Sequence, residues 1–338
     1  MRGRAFLTTL LMAGGMAVAG TAQAGDRAGP APRDGRAADV KQDLTAAARE
    51  LEQGDLQGAA MTAAESGVEH LLPGLGGDLP GWAQRTEIEW GVTDENKPRY
   101  SILTVQPLYE SADKTHTVFT QVSQRRYGMV GEMRDVTNAG LGYRRTLFDH
   151  TVLVGVNSFF DYEWDYDHRR VSVGGEVKWS GLDLNVNQYW ALSDATTIDS
   201  AGTLERALDG QDVKLTAQVP YLPWARVSGR RFWWETEATG EDIEGWEAAT
   251  ELDLHQNLQV EAGIKHDNFM PSDDEQEAHV SVRYVMNFGR PVAASRDFVA
   301  DTPWNMRDMR KYRLDRVERQ NRIIVERESA GIVIARGN

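Results

Sequence analysis

The stretch that decides the fold runs from Val136 to Leu192 and reads VTNAGLGYRRTLFDHTVLVGVNSFFDYEWDYDHRRVSVGGEVKWSGLDLNVNQYWAL. Apolar and polar residues alternate through four consecutive runs in it. In the third run the apolar set is Val171, Val173, Val177 and Trp179. Successive side chains of a β-strand point to opposite faces, so period two gives each strand one apolar face and one polar face. The stretch therefore predicts four strands of one sheet.

The length of these runs and the chemistry of their polar face favour a membrane location. Each run has about ten residues, whereas an ordinary strand has about five or six, and about ten tilted residues span a bilayer. The polar face carries Gly, Asn, Arg and carboxylates without a break, and Tyr and Trp cluster near the run ends. Those features are typical of a hydrated lumen and an interfacial aromatic girdle. The alternative is a soluble antiparallel sheet with one wet face; we expect the wall of a transmembrane β-barrel.

Composition excludes several classes of protein. The 338 residues include no cysteine, which excludes a disulfide framework and a thiolate metal site. A formal charge of −14 without a basic stripe argues against nucleic-acid binding. After the N-terminus no apolar run approaches the roughly 18 residues of a membrane-spanning helix. The seven histidines lack metal-ligand spacing, and no Gly-rich phosphate loop or nucleophile elbow occurs, so no metal and no cofactor is predicted.

The N-terminus predicts export. Residues 1–24 begin with Arg2 and Arg4, continue through an apolar middle and end in a small-x-small site, which predicts signal cleavage between Ala24 and Gly25. Residues 25–81 are first rich in Pro, Gly and Asp and then rich in Ala at helical spacing. They predict a disordered and then short-helical periplasmic lead-in. Export followed by barrel insertion places the protein in a bacterial outer membrane.

Twelve strand-like runs follow between residues 82 and 288. They are Trp82–Val92, Arg99–Tyr109, His116–Gln124, Val136–Leu147, Thr151–Asp161, Arg169–Trp179, Leu182–Leu192, Gln211–Val219, Trp224–Trp234, Gly245–Leu254, Leu258–His266 and Ala278–Phe288. The connections between them alternate between long and short. Outer-membrane barrels have an even number of strands, short periplasmic turns and longer outer loops. The pattern predicts a twelve-stranded antiparallel barrel with both ends in the periplasm.

The end of the barrel and the segment after it carry two further signals. Tyr284, Met286 and Phe288 alternate in the last run, as in a closing strand delivered to the barrel-assembly machinery. The fifty residues after Phe288 hold 11 Lys or Arg and 7 Asp or Glu, a net charge of +4, so the preceding residues hold −14 − 4 = −18. Within this segment Asn305 and Asp308 resemble a helix cap, and Met306–Glu318 predicts a charged linker helix.

A basic segment after an acidic barrel is expected in the barrel lumen, over residues 289–328. The residues predicted to face the wall are Arg310, Lys311, Arg313, Arg316 and Arg319. The inward-facing carboxylates expected opposite them are Glu87, Glu89, Asp183, Glu247, Glu251 and Glu261. The alternative is a solvated charged tail in the periplasm.

Many short segments, in serial order, resemble one known family, the intimin/invasin or inverse-autotransporter β-barrel domain. They are Gln106–Ser111, Phe119–Gln121, Asn138–Arg144, Gly155–Glu163, His168–Arg170, Gly174–Glu176, Gly210–Val213, Tyr221–Pro223 and, after the barrel, Tyr312–Arg327. The resemblance implies a twelve-stranded barrel with its N-terminus in the periplasm. It also implies a linker helix that returns through the pore and carries an adhesive passenger of immunoglobulin-like domains outside.

The last residues set the expected function apart from that of the family. Residues 329–338 form a short tail, too short for a folded domain. We therefore expect a monomeric translocation and anchoring unit in outer-membrane lipid, without a passenger of its own. Three functions stay open: export or display of a separately encoded partner, a degenerate adhesin anchor, and a plugged or leaky pore for small solutes.

One acidic cluster suggests catalysis. A predicted outer loop contains Asp161, Glu163, Asp165, Asp167 and His168, and paired carboxylates with a histidine could activate water as in outer-membrane proteases. The competing interpretation is a solvated acidic loop among interfacial aromatic residues, with no second acidic pair in another loop. We predict that the protein is not an enzyme. Acidic loops such as Ser272–Glu275 could bind divalent cations weakly, but no EF-hand spacing occurs.

Overall fold

The computed structural model describes residues 85–92, 98–129, 132–238, 240–255, 258–268, 277–286, 299–304, 306–329 and 332–336. These residues belong to one of two compact units, the one that spans Ala83–Asn338. The predicted signal with Ala24 and Gly25, the lead-in and Phe288 lie outside the described residues. Within the described part of the chain, no helix is long and apolar enough to cross a membrane.

The described residues form sixteen strands and one short 3₁₀ helix. The strands are β1 Thr86–Val92, β2 Pro98–Glu110, β3 His116–Met129, β4 Glu132–Leu147, β5 Val152–Glu163, β6 Arg169–Trp179, β7 Leu182–Ala191, β8 Thr196–Thr197, β9 Leu204–Ala207, β10 Asp209–Val219, β11 Leu222–Glu235, β12 Ile243–His255, β13 Leu258–Asp267, β14 Glu277–Met286, β15 Val325–Ser329 and β16 Ile332–Arg336.

Twelve of these strands close an antiparallel barrel. Its order is β1-β14-β13-β12-β11-β10-β7-β6-β5-β4-β3-β2, and β1 closes the ring by pairing with both of its neighbours. At that seam Ile88 lies opposite Ile102 on one side and opposite Tyr284 on the other. The predicted twelve-stranded barrel is confirmed. Closure pairs the main chain of every strand on both sides, which is what a lipid environment requires of a sheet.

The barrel wall is apolar outside and polar inside. Outward-facing Leu141, Val156 and Val173 are 51–59% exposed. Their inward-facing neighbours are buried although they are polar or charged: Asn138, Arg144, Asn157, Asp161, Arg170, Ser172, Glu176 and Lys178. A water-soluble domain buries its apolar residues, whereas a barrel in lipid exposes them to acyl chains and encloses a polar lumen. The wall therefore has the polarity of an outer-membrane barrel.

The two rims of the barrel differ in the length of their connections. At the turn end, residues 148–151, 180–181 and 220–221 each join two strands, and residues 164–168, 192–208 and 236–242 form connections at the loop end. The predicted runs His116–Gln124 and Val136–Leu147 leave a long connection over 125–135. That prediction is wrong, because β3 and β4 stay paired as far as Met129 and Glu132. Cross-strand partners such as Arg126 and Asp135, 3.9 Å apart, extend this hairpin beyond the other strands.

The predicted linker helix is absent from the described residues. Met306–Glu318 contains only a 3₁₀ helix at Met309–Tyr312, capped by Asp308, whose side chain accepts a hydrogen bond from the Arg310 N–H. The guanidinium of Arg144 donates to the carbonyl oxygens of Arg313 and Asp315 at 2.9 and 2.6 Å, so the wall binds this part of the segment in a non-helical conformation.

A second, four-stranded sheet lies at the loop end. Its order is β16-β15-β9-β8, so the C-terminal hairpin pairs with a strand of the connection between β7 and β10. Val325 lies opposite Ala207, and Glu328 lies opposite Leu204. Part of the predicted tail, Ile332–Arg336, pairs with β15.

Candidate functional site in the barrel lumen

Residues 306–324, here called the lumenal segment, run from the turn end of the barrel to its loop end. The Arg307 N–H donates to Ser180 Oγ at 2.9 Å, and the Met309 N–H donates to the His150 carbonyl at 2.8 Å; both acceptors lie in turns. At the other end the Leu208 N–H donates to the Ile324 carbonyl at 2.9 Å. Between these points the segment contacts inward-facing side chains of β1 to β7 and β10.

A buried carboxylate anchors the middle of the lumenal segment. Asp161 of β5 accepts two hydrogen bonds from Arg319 at 2.9 and 2.7 Å, and Arg170 of β6 lies 2.8 Å from the same carboxylate. The three side chains are fully buried. Asn138 donates to Asp161 at 2.7 Å, and the Arg319 guanidinium lies over the Phe159 ring at 4.4 Å. Two guanidinium groups on one carboxylate leave a net positive charge, which the aromatic face partly offsets.

The wall also binds the main chain of the segment. Gln121 Oε1 accepts from the Val317 N–H at 2.8 Å, and the Tyr189 hydroxyl accepts from the Gln320 N–H at 2.7 Å. The wall donors to segment carbonyl oxygens are Asn187 to Glu318 at 3.1 Å, Arg170 to Gln320 at 2.7 Å and Asn138 to Asn321 at 3.0 Å. Main-chain groups buried away from water need such partners. The β3–β7 wall therefore supplies the hydrogen bonds that a non-helical segment lacks.

An apolar pocket in this polar lumen receives Val317. The pocket is formed by Leu103, Val105, Phe119 and Phe159. Gly140 and Gly142 of β4 make room for the two rings, since a Cβ on either glycine would lie 2.3 Å from a ring carbon of Phe159 or Phe119. The glycines are therefore required by close side-chain packing inside a curved wall.

A second buried charge network at the loop end binds the chain just after the lumenal segment. Glu205 of β9 accepts from Arg134 at 2.6 and 2.7 Å, from Arg327 Nε at 2.7 Å, and contacts His168 Nε2 at 2.9 Å. Burial opposes ionisation of Glu205, but the hydrogen bonds from His168 and Arg134 prevail and lower its pKa to about 2. Arg134 also binds Glu163 at 2.9 Å. The sequence did not identify this network, because its members come from four distant stretches of the chain.

The five basic residues predicted to face the wall do not all bind wall carboxylates. Arg316 lies 3.2 Å from Glu89 and 4.0 Å from Glu87, and Arg313 pairs with Glu110 rather than with a predicted partner. Arg319 binds Asp161. Arg310 pairs with Asp308 of its own segment at 2.8 Å, and Lys311 is exposed. The other predicted carboxylates contact wall residues: Asp183 with Arg226 at 2.5 Å, Glu247 with Arg230 at 3.4 Å, Glu251 with Lys214 at 3.7 Å and Glu261 with His279 at 3.5 Å.

The acidic residues considered for catalysis do not share one loop. Asp161 and Glu163 belong to β5 and are buried in the two arginine networks. Asp165 accepts from the Asp135 N–H at 2.8 Å, and Asp167 accepts from the Tyr162 hydroxyl. Their placement in a common outer loop is therefore wrong. It failed because period two continues to Glu163, two residues beyond the predicted end of the strand.

A cavity of about 120 Å³ lies between the lumenal segment and the part of the wall that β1 and β10–β14 form. Its lining includes Glu89, Lys214, Arg230, Glu247, Lys265 and His279. Two groups among the described residues bring acidic and histidine ligand atoms within 4.8 Å of one another: Glu247, Glu261 and His279 here, and Glu163, His168 and Glu205 at the loop end. Arg230 lies beside the first group, and Arg134 and Arg327 already bind the second. In both groups a neighbouring arginine therefore balances carboxylate charge.

Known proteins resemble the chain in sequence and in fold. A family model described as inverse autotransporter, beta-domain, matches residues 36–321. Invasin of Yersinia enterocolitica is 30% identical over 118 residues, which are 35% of this chain and 13% of invasin. A putative attaching and effacing protein homolog of Escherichia coli strain K12 is 28% identical over 124 residues, 36% of this chain and 40% of that protein. The matched region thus spans less than half of either relative.

A solved structure described in "Unveiling the Mechanism Behind the in-meso Crystallization of Membrane Proteins" shares the fold. Its TM-score is 0.58 at 19% identity, and the match covers 72% of this chain and 100% of that chain. The family match agrees with the resemblance carried by the sequence segments and with the inverted polarity of the wall. The chain belongs to the inverse autotransporter beta-domain family and is a β-barrel of the bacterial outer membrane.

Proposed function

We propose that this barrel anchors the chain in the outer membrane and translocates a C-terminal polypeptide segment to the cell surface. The observation that carries the proposal is the path of the lumenal segment. It enters beside the turns at Ser180 and His150 and leaves beside Leu208 at the loop end. Because the barrel has an even number of antiparallel strands, the start of β1 and the end of β14 both lie at the turn end. The turn end is therefore the periplasmic end.

The physical mechanism is passive. Lipid offers a polypeptide no hydrogen-bond partners, so an extended chain crosses it only inside a structure that supplies them. The side chains of Gln121, Asn138 and Asn187 do so for main-chain groups, while Asp161 pairs with a guanidinium. Once past the lumen, the segment pairs with β9 at the loop end. This pairing holds the emerged hairpin at the surface.

The proposal implies three partners of different kinds. Outer-membrane lipid contacts the apolar outer face, and the barrel-assembly machinery inserts the closing strand that contains Tyr284 and Met286. The displayed material is the C-terminal part of the chain itself; export of a separately encoded protein is the alternative to it. Attachment appears in the name of the Escherichia coli relative. Adhesion by the displayed segment or by the outer loops is therefore the biological use that we propose for display.

We assign no catalytic reaction to the barrel. The carboxylates of Asp161 and Glu163 are buried against guanidinium groups of the barrel rather than open to a substrate. Asp165 and Asp167 are held by other groups of the loop-end rim. A plugged pore for small solutes is the second candidate function, and the cavity beside the lumenal segment favours it.

An accessibility experiment on intact cells tests display. A short epitope placed after Asn338 is expected to bind antibody from outside, whereas the same epitope in the turn at Phe148 is expected to bind only after the outer membrane is opened. The reverse result, or an epitope at Asn338 that becomes accessible only in opened cells, contradicts translocation. Conductance of the purified barrel tests the second candidate, because a leaky pore predicts solute currents from the full chain, whereas a plugged pore predicts them only after truncation following Phe288.

A further inference from the structure

One tripeptide occurs twice in the C-terminal part of the chain. Val317-Glu318-Arg319 and Val325-Glu326-Arg327 have the same sequence and start 325 − 317 = 8 residues apart. The structure places the first copy inside the lumen and the second at the loop end, where β15 begins. We call the wall residues that bind the first copy the inner station, and those that bind the second copy the outer station.

The arginines of the two copies are bound in the same way. Arg319 binds Asp161 at 2.7 Å, and this carboxylate also pairs with a wall arginine, Arg170, at 2.8 Å. Arg327 binds Glu205 at 2.7 Å, and this carboxylate also pairs with a wall arginine, at 2.6 Å. Both carboxylate side chains are fully buried. Each station therefore presents one desolvated carboxylate between a fixed guanidinium and the guanidinium of the segment.

The valines are bound in the same way as well. Val317 is 2% exposed and packs in the inner pocket with Phe119 and Phe159. Val325 is completely buried and packs with Tyr127 and other apolar residues at the loop end. In both stations the valine pocket includes at least one aromatic ring of the barrel. Val325 and Arg327 lie two residues apart in β15 and point to the same face, and Val317 and Arg319 both contact the Phe159 ring.

The glutamates also have corresponding partners. Glu318 accepts from Lys214 Nζ at 2.9 Å. Glu326 lies 3.4 Å from the Arg206 guanidinium and accepts from the N–H groups of Glu237 and Ala238 at 3.1 and 3.3 Å. Glu318 also accepts from Arg316 of its own segment at 2.7 Å. In both stations the glutamate thus meets a cationic side chain of the barrel, the arginine a buried carboxylate and the valine an apolar pocket.

We propose that the two stations are interchangeable binding sites for the Val-Glu-Arg tripeptide, and that the C-terminal part of the chain has a second register in which residues 325–327 occupy the inner station. The proposal rests on the proposed function, because a segment moving outward brings 325–327 past the inner station before the outer one. In the final register both stations are filled, whereas the displaced register fills one. Occupancy of both stations therefore favours the final register.

Crosslinking in the full chain measures the register. The chain has no cysteine, so introduced pairs are unambiguous. Ser123 donates to Asn138, which in turn donates to the Asn321 carbonyl, so Ser123 and Asn321 are neighbours in the final register. In the displaced register Ser329 takes the place of Asn321, since 321 + 8 = 329. The pairs Ser123→Cys with Asn321→Cys, and Ser123→Cys with Ser329→Cys, joined by a short thiol crosslinker, report the two registers.

Weakening the outer station is expected to populate the displaced register. In Glu205→Gln the ratio of the Ser329 crosslink to the Asn321 crosslink should rise about tenfold or more, because only in the final register does Arg327 lose its buried partner. Arg310→Ala is the matched control, since Arg310 pairs with Asp308 of its own segment and with neither station. Heat-modifiable gel mobility identifies folded barrels. A folded Glu205→Gln barrel without the rise overturns the proposal.

A time course needs no change to either station. In pulse-labelled cells the Ser329 crosslink is expected to appear first and to give way to the Asn321 crosslink. Chains that form the Asn321 crosslink without the earlier one overturn the two-station inference. An epitope after Asn338, read in the same cells, keeps the two claims apart. Surface display without a Ser329 crosslink contradicts the inference alone, whereas an epitope that never reaches the surface contradicts the proposed function.

Discussion

The two sides of the lumenal wall differ in what their charges bind. On the β3–β7 side, Asp161, Arg170 and Arg144 are at most 1% exposed, and each contacts the lumenal segment. On the β11–β14 side, ion pairs such as Glu247 with Arg230 are 14–23% exposed and join wall residues beside the cavity. The first side binds the lumenal segment, and the second side lines the cavity with ion pairs between wall residues.

The difference has an energetic consequence. Breaking a buried ion pair leaves a charge without a partner and costs about 3–5 kcal/mol, whereas an exposed pair contributes roughly 0–1 kcal/mol. The same kind of substitution should therefore lower the free energy of unfolding more on the β3–β7 side than on the β11–β14 side. Each of the following predictions compares the two sides or extends the comparison to the rim.

The largest effect is expected from removing the lumenal segment. A chain truncated after Phe288 should form a water-filled channel, because the polar β3–β7 wall loses the residues that fill it. In planar bilayers its single-channel conductance should exceed that of the full chain by about tenfold or more. Equal conductance of folded full-length and truncated barrels would show that the segment does not fill the lumen.

The next effect is expected from the buried carboxylate. Asp161→Asn removes the negative charge that Arg170 and Arg319 share, and should lower the free energy of unfolding by about 3–5 kcal/mol. The matched variant Glu247→Gln removes a carboxylate that is 23% exposed and 3.4 Å from Arg230, and should lower it by a smaller amount. Urea titration of the gel-mobility shift in detergent measures both. Similar losses in the two variants would remove the distinction between the sides.

A smaller loss of unfolding free energy is expected when a methyl group is added to the tightly packed β3–β7 side. Gly142→Ala places a Cβ 2.3 Å from the Phe119 ring, whereas a Cβ at Gly175 meets no atom within 4 Å. The first change displaces the ring that forms the Val317 pocket and should cost about 1–3 kcal/mol. Gly175→Ala should stay within about 0.5 kcal/mol of the unaltered chain. The same urea titration applies, and a larger loss at Gly175 would contradict the packing account.

The last effect is expected at the loop-end rim when the pH is lowered. The pKa of Glu205 is about 2 in the folded barrel and about 4.3 in an unfolded chain. A depressed carboxyl pKa stabilises the folded state fully above the unfolded value and progressively less as the pH falls toward the folded value. Amide exchange of β15 in purified barrels should therefore accelerate between about pH 4 and pH 2. Glu205→Gln should lack this step; an identical step in both proteins would assign it to another group.

Much of the barrel was predictable because its signal is local. Period two in Val136–Leu192 reports directly which residues face lipid, and strands such as Arg169–Trp179 begin and end where the pattern does. Turn length alternates along the chain and can be read without contacts. The family resemblance followed from the same residues, since segments such as Asn138–Arg144 combine inward polar groups with the glycines that the Phe119 and Phe159 rings require.

The lumen was less predictable because its contacts are distant in sequence. Basic composition pointed the segment inward, but the partner of Arg319 is Asp161, 158 residues away, and that of Arg327 is Glu205. Charge pattern also predicted a helix at Met306–Glu318, where the wall instead binds the main chain. Propensity describes a segment by itself and cannot include hydrogen bonds from Arg144 or Asn187. The repeated tripeptide was the available signal for both arginine sites.

Trypsin digestion of folded barrels in outer membranes tests most directly that the segment crosses the lumen. Trypsin cleaves after Lys and Arg, and Arg313, Arg316, Arg319 and Arg322 lie within the lumenal segment. The structure predicts that none of these four sites is cut while the barrel is folded, even with protease added from the periplasmic side, and that all four are cut after unfolding. Rapid cleavage at Arg316 or Arg319 in a folded barrel would contradict the placement of the segment.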